Sequence, residues 1–227
     1  MENKGIVELY QPRHTLIGRD GILKIPYFLR RLNAERVLVV TDKGLVKTGT
    51  AGKVTAVLDD AKVNYVIYDG VEPNPSVRIV NEAFDFYKKN QCDAIIAIGG
   101  GSPIDVAKAV SILSANGGKI QDYNGYNKSK KHGSPIIAVN TTAGTGSECT
   151  RAYVVTDEEA KTKLLMVDTN SLAHIALNDP MLMVGMPPSL TASTGIDALT
   201  HAIEAYICNT HTPFTDALAM ESIRLIS

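Results

Sequence analysis

The sequence is poor in cysteine, which limits the classes of protein that it can represent. Its 227 residues contain three cysteines, Cys92, Cys149 and Cys208, which lie far apart and form no C-x-x-C pair. Small secreted folds held by disulfides carry more, and an odd, sparse set is typical of reduced thiols inside a cell. We therefore expect packing residues in a cytoplasmic protein.

The sequence also lacks an excess of charge of either sign and any long apolar run. Its formal net charge is −1, so neither a basic stripe nor a nucleic acid partner is expected. No run approaches the roughly 20 apolar residues that cross a bilayer, and the first residues have no apolar signal core. We expect neither a membrane partner nor a secretion signal.

What the sequence does contain is a glycine-rich turn within residues 93–114, DAIIAIGGGSPIDVAKAVSILS. A short apolar run, typical of a buried strand, leads into the glycines at 99–101. A helix is then expected, with Ser102 as its N-cap and Asp105 as the acid of a capping box. Backbone N–H groups beside glycines and at a helix N-terminus can bind a phosphate. Alone, the pattern fits a tight strand-to-helix turn equally well, because it is neither a G-x-G-x-x-G fingerprint nor a P-loop.

A second loop of small residues, NTTAGTGSE at 140–148, follows the next predicted strand. Carboxyl ends of neighbouring parallel strands meet at one edge of a sheet, so the two loops should lie side by side. This favours a ligand with phosphate and ribose oxygens over two unrelated turns. Asp42, just past the strand predicted at 36–40, either meets the same ligand or caps the following helix.

Apolar β-branched runs alternate with helical patterns along most of the chain. Strands are predicted at residues 5–9, 36–40, 63–68, 94–98, 135–139 and 174–177, with a β-hairpin formed by 153–156 and 163–167. The alternation indicates an α/β fold with a largely parallel sheet over residues 1–186. From Pro187 only helical patterns follow. Because about forty residues cannot bury a core alone, residues 187–227 are expected to be the beginning of an incomplete helical domain.

Asp197 and His201 stand four residues apart in the first helix of that region, so both project from one face. An imidazole and a carboxylate at this spacing can bind one divalent ion such as Fe(II), Zn(II) or Mn(II). An ordinary helical Asp–His pair is the more frequent explanation, and two ligands do not complete a site.

Three motifs in this order, GGGSPIDVAK, TTAGTGSE and MPPSLTASTGIDALTHAIEAYI, resemble the iron-dependent (group III) alcohol dehydrogenases. The resemblance covers the whole chain and implies a Rossmann-like nucleotide-binding domain followed by an all-helical domain. It also implies an oxidoreductase that transfers hydride between a small primary alcohol or diol and NAD, as a homo-oligomer (dimer or larger). Zinc-dependent glycerol dehydrogenases and dehydroquinate synthases fit the second and third motifs less well.

The resemblance further implies a set of cofactor-binding residues. Asp42 would face the adenosine ribose, where an acid repels a 2′-phosphate and favours NAD over NADP. The other members of the set are Gly100, Gly101, Ser102 and Asp105 around the pyrophosphate, Thr141, Thr142, Thr145 and Ser147 in the second loop, Lys163 at a ribose, and Asn74 and Leu182.

The same resemblance implies that Asp197 and His201 act in catalysis through a metal, Fe(II), with Zn(II) or another divalent ion as the alternative. The family's two remaining ligands are histidines further along the helical domain, beyond the last residue of this sequence. We therefore weigh a second expectation, an NAD-binding chain without catalysis of its own.

Overall fold

The structure, a computed structural model, describes residues 6–227, and its centre is a six-stranded parallel sheet. The strands are β1 (His14–Ile17), β2 (Val37–Val40), β3 (Tyr65–Tyr68), β4 (Ala94–Gly99), β5 (Gly125–Tyr126), β6 (Ile136–Asn140), β7 (Ala152–Asp157), β8 (Thr162–Val167) and β9 (Ile175–Asn178). The helices are α1 (Ile25–Arg31), α2 (Lys43–Lys47), α3 (Thr50–Asp60), α4 (Val77–Lys89), α5 (Gly101–Asn116), α6 (Pro188–Ile207) and α7 (Pro213–Ile226). The parallel sheet has the order β1-β9-β6-β4-β2-β3.

Both faces of this sheet are covered, which explains why its central strands are continuous apolar runs. Every residue of β2, β4 and β6 is buried. On β2, Leu38 and Val40 join the core beneath α4 and α5, while Val37 and Val39 join the core beneath α1 and α3. This is the alternation of a strand buried on both sides. Each fully buried Val or Ile contributes roughly 1.5–3 kcal/mol of transfer free energy.

A smaller sheet of three strands, in the order β5-β8-β7, contains the predicted β-hairpin. Its strands β7 and β8 pair in antiparallel register from Ala152↔Val167 to Asp157↔Thr162. Tyr153 of β7 is buried in the core that also contains α5. The hairpin therefore packs the residues that follow the second loop (140–148) against α5.

The last two helices, α6 and α7, pack mainly on each other. Ala202 and Ala219 are their buried residues, whereas Ile196 and Leu225 are more than half exposed. Among residues 6–227, no helix combines the length and apolar character needed to cross a membrane. The division into domains at residues 1–186 and 187–227 stays a prediction.

The predicted α/β fold, a parallel sheet followed by helices, is confirmed. The strand predicted at residues 5–9 is wrong: residues 6–9 have no regular secondary structure, and Gly5 lies outside the described residues. The first strand is β1, which pairs with β9 from His14↔Ile175 onward. Most of its residues are exposed, so it lacks the apolar pattern of a buried strand.

The predicted cap of α5 is also wrong. This helix begins at Gly101, its N-cap is Gly100, and no side chain caps it. Ser102 is thus the second residue of the helix, and the Asp105 carboxylate has partners outside the helix. The helix can begin without a side-chain cap where a ligand or water takes its free N–H groups.

Candidate functional site

A cavity of about 510 Å³ opens at the carboxyl ends of the central strands. Its walls are the residues that follow β2, β3, β4 and β6, together with Leu190 and Thr194 of α6. A cavity of about 280 Å³ adjoins it and shares Asp42, Gly44 and Gly100. The strand order changes direction between β2 and β4, since β3 lies on one side of β2 and β4 on the other. Ligands of open parallel sheets bind at such switch points.

The glycine turn after β4 brings two loops into contact. A Cβ atom at Gly100 would lie 2.8 Å from Thr142 Oγ1 and 3.0 Å from Thr142 Cγ2, and one at Gly101 would lie 3.3 Å from Thr145 Cγ2. Gly99 has a φ of +153°, which L side chains rarely adopt. Residues without a side chain are therefore needed here for the backbone of α5 to approach the second loop.

The N-terminus of α5 faces the larger cavity, because Gly101 and Ser102 form part of its wall. The first N–H groups of a helix have no partner within the helix, and the aligned peptide dipoles of these 16 residues add partial positive charge. The site therefore offers hydrogen-bond donors and a favourable potential to an anion, as the sequence predicts.

The second loop is fixed at the end of β6 by an amide pair. Asn140 Nδ2 donates to Asn178 Oδ1 at 2.8 Å, and Asn140 Oδ1 accepts from Thr142 N at 3.0 Å. Thr142 and Thr145 line the larger cavity, and Thr141 and Thr142 line the smaller one. The structure thus brings the loop threonines of the predicted cofactor set to the cavities.

Asp42 has both of the roles that the sequence allows as alternatives: it caps a helix and it lies at the cavity. Its Oδ1 accepts from Leu45 N at 2.9 Å and caps α2, and the residue lines both cavities. Gly44 is needed beside it, because a Cβ there would lie 2.9 Å from Asp42 Oδ1. One oxygen serves the cap, which leaves Oδ2 for a hydroxyl donor of a ligand.

The remaining peripheral residues of the predicted set divide into two groups. Leu182 lines the smaller cavity. Asn74 and Lys163 form no part of either wall; Lys163 Nζ donates to Asn74 Oδ1 at 3.3 Å, and the adjacent Pro73 lines the larger cavity. Their contact with a cofactor stays a prediction.

Ser147 is buried and Asp105 is half-buried, and both lie outside the walls of the two cavities. Asp105 Oδ1 accepts from Ser147 Oγ at 2.8 Å, and Asp105 Oδ2 accepts from Val154 N at 3.0 Å. Burial is the main influence on Asp105 and raises the pKa of its carboxyl. A direct contact of either side chain with a cofactor stays a prediction.

Sequence reasoning missed Lys108, the partner of this pair. Its side chain is fully buried, and Nζ donates to Ser147 O at 2.7 Å. Burial lowers the pKa of Lys108 to about 8, against the opposing effect of the Asp105 and Glu148 carboxylates. The available signal was a lysine in the middle of an otherwise apolar stretch of helix, flanked by Ala107 and Ala109.

The metal-like pair lies on α6 with both side chains exposed. His201 Nε2 and Asp197 Oδ1 are 3.6 Å apart. Thr194, one turn earlier, lines the larger cavity and touches the second loop: a Cβ at Gly144 would lie 2.7 Å from Thr194 Cβ and 3.0 Å from Thr194 O. In the part of the chain that the structure describes, no group of three or more His, Cys, Asp or Glu is arranged to hold a metal. The pair can supply part of a metal site.

Comparison with known protein families gives two matches. The profile of the iron-containing alcohol dehydrogenases matches residues 12–180, and that of the Fe-containing alcohol dehydrogenase family, C-terminal, matches residues 191–227. Together they extend over most of the chain.

Individual relatives agree with these matches. The chain is 44% identical over 218 residues to alcohol dehydrogenase 4 of Schizosaccharomyces pombe, covering 96% of this chain and 52% of that protein. It is 40% identical over 222 residues to the NAD-dependent methanol dehydrogenase of Bacillus methanolicus, covering 98% and 58%. The crystal structure of a 1,3-propanediol oxidoreductase superposes with a TM-score of 0.95 at 42% identity, covering 97% of this chain and 58% of that one. The chain thus spans 52% to 58% of the length of these relatives.

Proposed function

Because the chain belongs to the iron-containing alcohol dehydrogenase family, we propose that it carries the nucleotide-binding part of an NAD(H)-dependent, metal-dependent oxidoreductase. The proposed reaction transfers hydride between a small primary alcohol or diol and the nicotinamide. Since the chain spans little more than half of its relatives, the activity of a complete protein is part of this proposal. A homo-oligomer, also implied by the resemblance, would be tested by sedimentation.

The observation that carries the proposal is the cavity at the switch point of the sheet. Backbone donors of α5 face it, and the Gly100 and Gly101 positions leave room that side chains would fill. Its volume, about 510 Å³ with a further 280 Å³ beside it, lies in the range of pockets that bind small molecules and cofactors. The residues present therefore fit a dinucleotide with its phosphates at the N-terminus of α5.

Asp42 supports NAD as the preferred cofactor. Its capping bond to Leu45 N fixes the carboxylate at the wall of both cavities. A carboxylate in that place accepts hydrogen bonds from ribose hydroxyls and repels the additional phosphate of NADP. We accordingly expect tighter binding of NADH than of NADPH.

Asp197 and His201 are the residues proposed to hold the metal. A carboxylate oxygen and an imidazole nitrogen suit Fe(II) and Zn(II), so the donor set fits as part of a site. When bound, the dinucleotide supplies a hydride donor or acceptor, and the metal supplies a Lewis acid. This chain's own contribution is to orient these two side chains on α6, one and two turns beyond Thr194 at the cavity wall.

The first experiment titrates NADH and NADPH into the 227-residue chain, followed by nucleotide fluorescence. It also follows NADH consumption with propanal or lactaldehyde, without oxygen and with Fe(II). We expect binding that favours NADH, and no turnover, because the described residues supply two ligands where three or four are needed. Absence of NADH binding would refute the proposed cofactor site. Turnover would show that the metal obtains further ligands, for example from a second copy.

His201→Ala tests the metal pair separately. In an anaerobic equilibrium titration with Fe(II), we expect the dissociation constant for the metal to rise at least about tenfold, while the dissociation constant for NADH changes less than about twofold. His211→Ala is the matched control, because His211 forms another exposed pair, with Asp216 at 2.9 Å. Equal loss of Fe(II) affinity in both variants would remove Asp197 and His201 from the metal site.

A further inference from the structure

Lys108 is a fully buried cation with an unusually complete set of acceptors. Its Nζ lies 2.7 Å from Ser147 O, 2.7 Å from Ala152 O, 3.1 Å from Ser147 Oγ and 3.2 Å from Thr150 Oγ1. An ammonium group has three hydrogens, so these four acceptors use all of them. Removing a charge from water is strongly unfavourable, and hydrogen bonds to every proton of the group, as here, offset that cost.

Asp105 lies one turn before Lys108 on the same face of α5. Its two carboxylate oxygens accept from Ser147 Oγ at 2.8 Å and from Val154 N at 3.0 Å. Helix α5 therefore binds segment 147–154 at two points one turn apart, through the carboxylate of Asp105 and through the ammonium group of Lys108. All of these bonds join residues about 40 or more positions apart in the chain.

This segment is the direct continuation of the loop that lines the cavity. Ser147 N donates to Thr145 Oγ1 at 3.3 Å, and the Thr145 methyl group lies against Gly101. Contacts made by Lys108 with Ser147 therefore fix the end of the loop two residues from the cavity wall. The same helix that presents its N-terminus to the cavity thus also holds the opposing loop.

We propose that Lys108 and Asp105 are positioning residues that hold the 141–147 loop against the N-terminus of α5, so that the nucleotide cavity exists before the ligand binds. The nucleotide part of this inference rests on the proposed function. Without Lys108, the Ser147 and Ala152 carbonyls lose the charged donor that joins them to α5. They keep weaker local donors from Thr150, whose N–H lies 3.2 Å from Ser147 O and whose hydroxyl lies 3.2 Å from Ala152 O, so the end of the loop is held less firmly against the helix. Preorganisation of this kind favours affinity because the ligand need not order the loop itself.

The test uses two variants of different severity in the 227-residue chain. Lys108→Met removes the ammonium group, and Ser147→Ala removes one hydroxyl while leaving the Ser147 carbonyl with Lys108. Ser114→Ala is the matched control, because Ser114 Oγ also joins α5 to a distant segment, accepting from Ser134 N at 3.0 Å, at the opposite end of the helix. Urea unfolding reports the stability of all three.

Two readouts separate positioning from general destabilisation. The hydrogen-exchange rates of the Ser147 and Val154 amides should rise at least about tenfold in Lys108→Met and in Ser147→Ala. The exchange rate of the Val139 amide in β6 should not change. The dissociation constant for NADH should rise at least about tenfold in the same variants. In Ser114→Ala the exchange rates of these two amides and the dissociation constant for NADH should stay within about twofold of those of the unaltered chain, even if its free energy of unfolding is lower.

Unchanged hydrogen-exchange rates at Ser147 and Val154 would overturn the inference. So would a loss of NADH affinity that is proportional to the loss in free energy of unfolding across all three variants, Ser114→Ala included. If Lys108→Met does not fold, Ser147→Ala decides by the same two readouts. If the unaltered chain binds no NADH, the proposed function fails, and raised exchange in Ser147→Ala would still support the structural role of the network.

Discussion

The most direct test of the cavity geometry is Gly100→Ala. The added Cβ would lie 2.8 Å from Thr142 Oγ1 and 3.0 Å from Thr142 Cγ2, whereas ordinary contacts begin at 3.4 Å. Thr142 is not free to yield, because its N–H donates to Asn140 Oδ1 at 3.0 Å and its hydroxyl approaches the same oxygen at 3.4 Å. The loop or the turn must therefore shift by about half an ångström, and overpacking of this kind typically costs about 1–3 kcal/mol.

This cost must appear in one of two measurements. If the strain persists in the free chain, unfolding in urea will show a loss of about 1–3 kcal/mol. If the second loop relaxes, stability is spared and the same free energy is lost when a nucleotide restores the loop, which weakens NADH binding about 5- to 150-fold. We expect a combination in which the two losses together amount to about 1–3 kcal/mol.

Gly52→Ala provides the control. Gly52 lies in α3, and a Cβ added there would have no atom within 4 Å, so alanine should raise stability by about 0.5–1 kcal/mol through helix propensity. NADH affinity should not change. A Gly100→Ala chain that keeps both the stability and the NADH affinity of the unaltered chain would refute the close approach of the two loops.

Two further predictions concern charge. Asp42→Asn keeps the hydrogen bond that caps α2 at Leu45 N but removes the negative charge. The affinity for NADPH should therefore rise about tenfold relative to that for NADH, with little change in stability. An unchanged ratio of the two affinities in fluorescence titrations would exclude Asp42 as the residue that selects NADH. Burial lowers the pKa of His174 from 6.5 to about 4, with smaller contributions from Arg13 and His132. Because the unfolded chain binds this proton first, stability should fall by at most about 3 kcal/mol as the pH drops from about 6.5 to about 4. His174→Gln should flatten this slope in urea unfolding, and an unchanged slope would contradict the assignment.

The sequence predicts the site best where local pattern and sheet geometry coincide. The runs 94–98 and 135–139 are apolar enough to be identified as buried strands, and they pair in parallel as β4 and β6. Once two such strands are neighbours, their following loops must meet, which is why the contact between Gly100 and Thr142 follows from sequence reasoning. The place of the cavity is therefore predictable from the residue types of two neighbouring strands and of the loops that follow them.

Features that depend on distant contacts were beyond that reasoning. Ser102 is a good cap by residue type, but α5 begins at Gly101 because the glycine backbone packs against the second loop. Whether Lys108 points to solvent or inward depends on the position of residues 147–152, which lie outside the parallel sheet. The edge strand β1 is mostly exposed and becomes a strand through its pairing with β9.

That pairing has a consequence for how the chain is made. His14 lies opposite Ile175, so about 160 residues must leave the ribosome between the synthesis of one strand and of its partner, which takes roughly 10 to 30 s at typical translation rates. During that interval the edges of β6 and β1 are both open to pairing with other chains. Non-local pairing of this kind also makes folding slow. The pairings of β9 with β1 and with β6 are therefore expected to form last, and β9 then joins the first strand of the fold to the centre of the sheet.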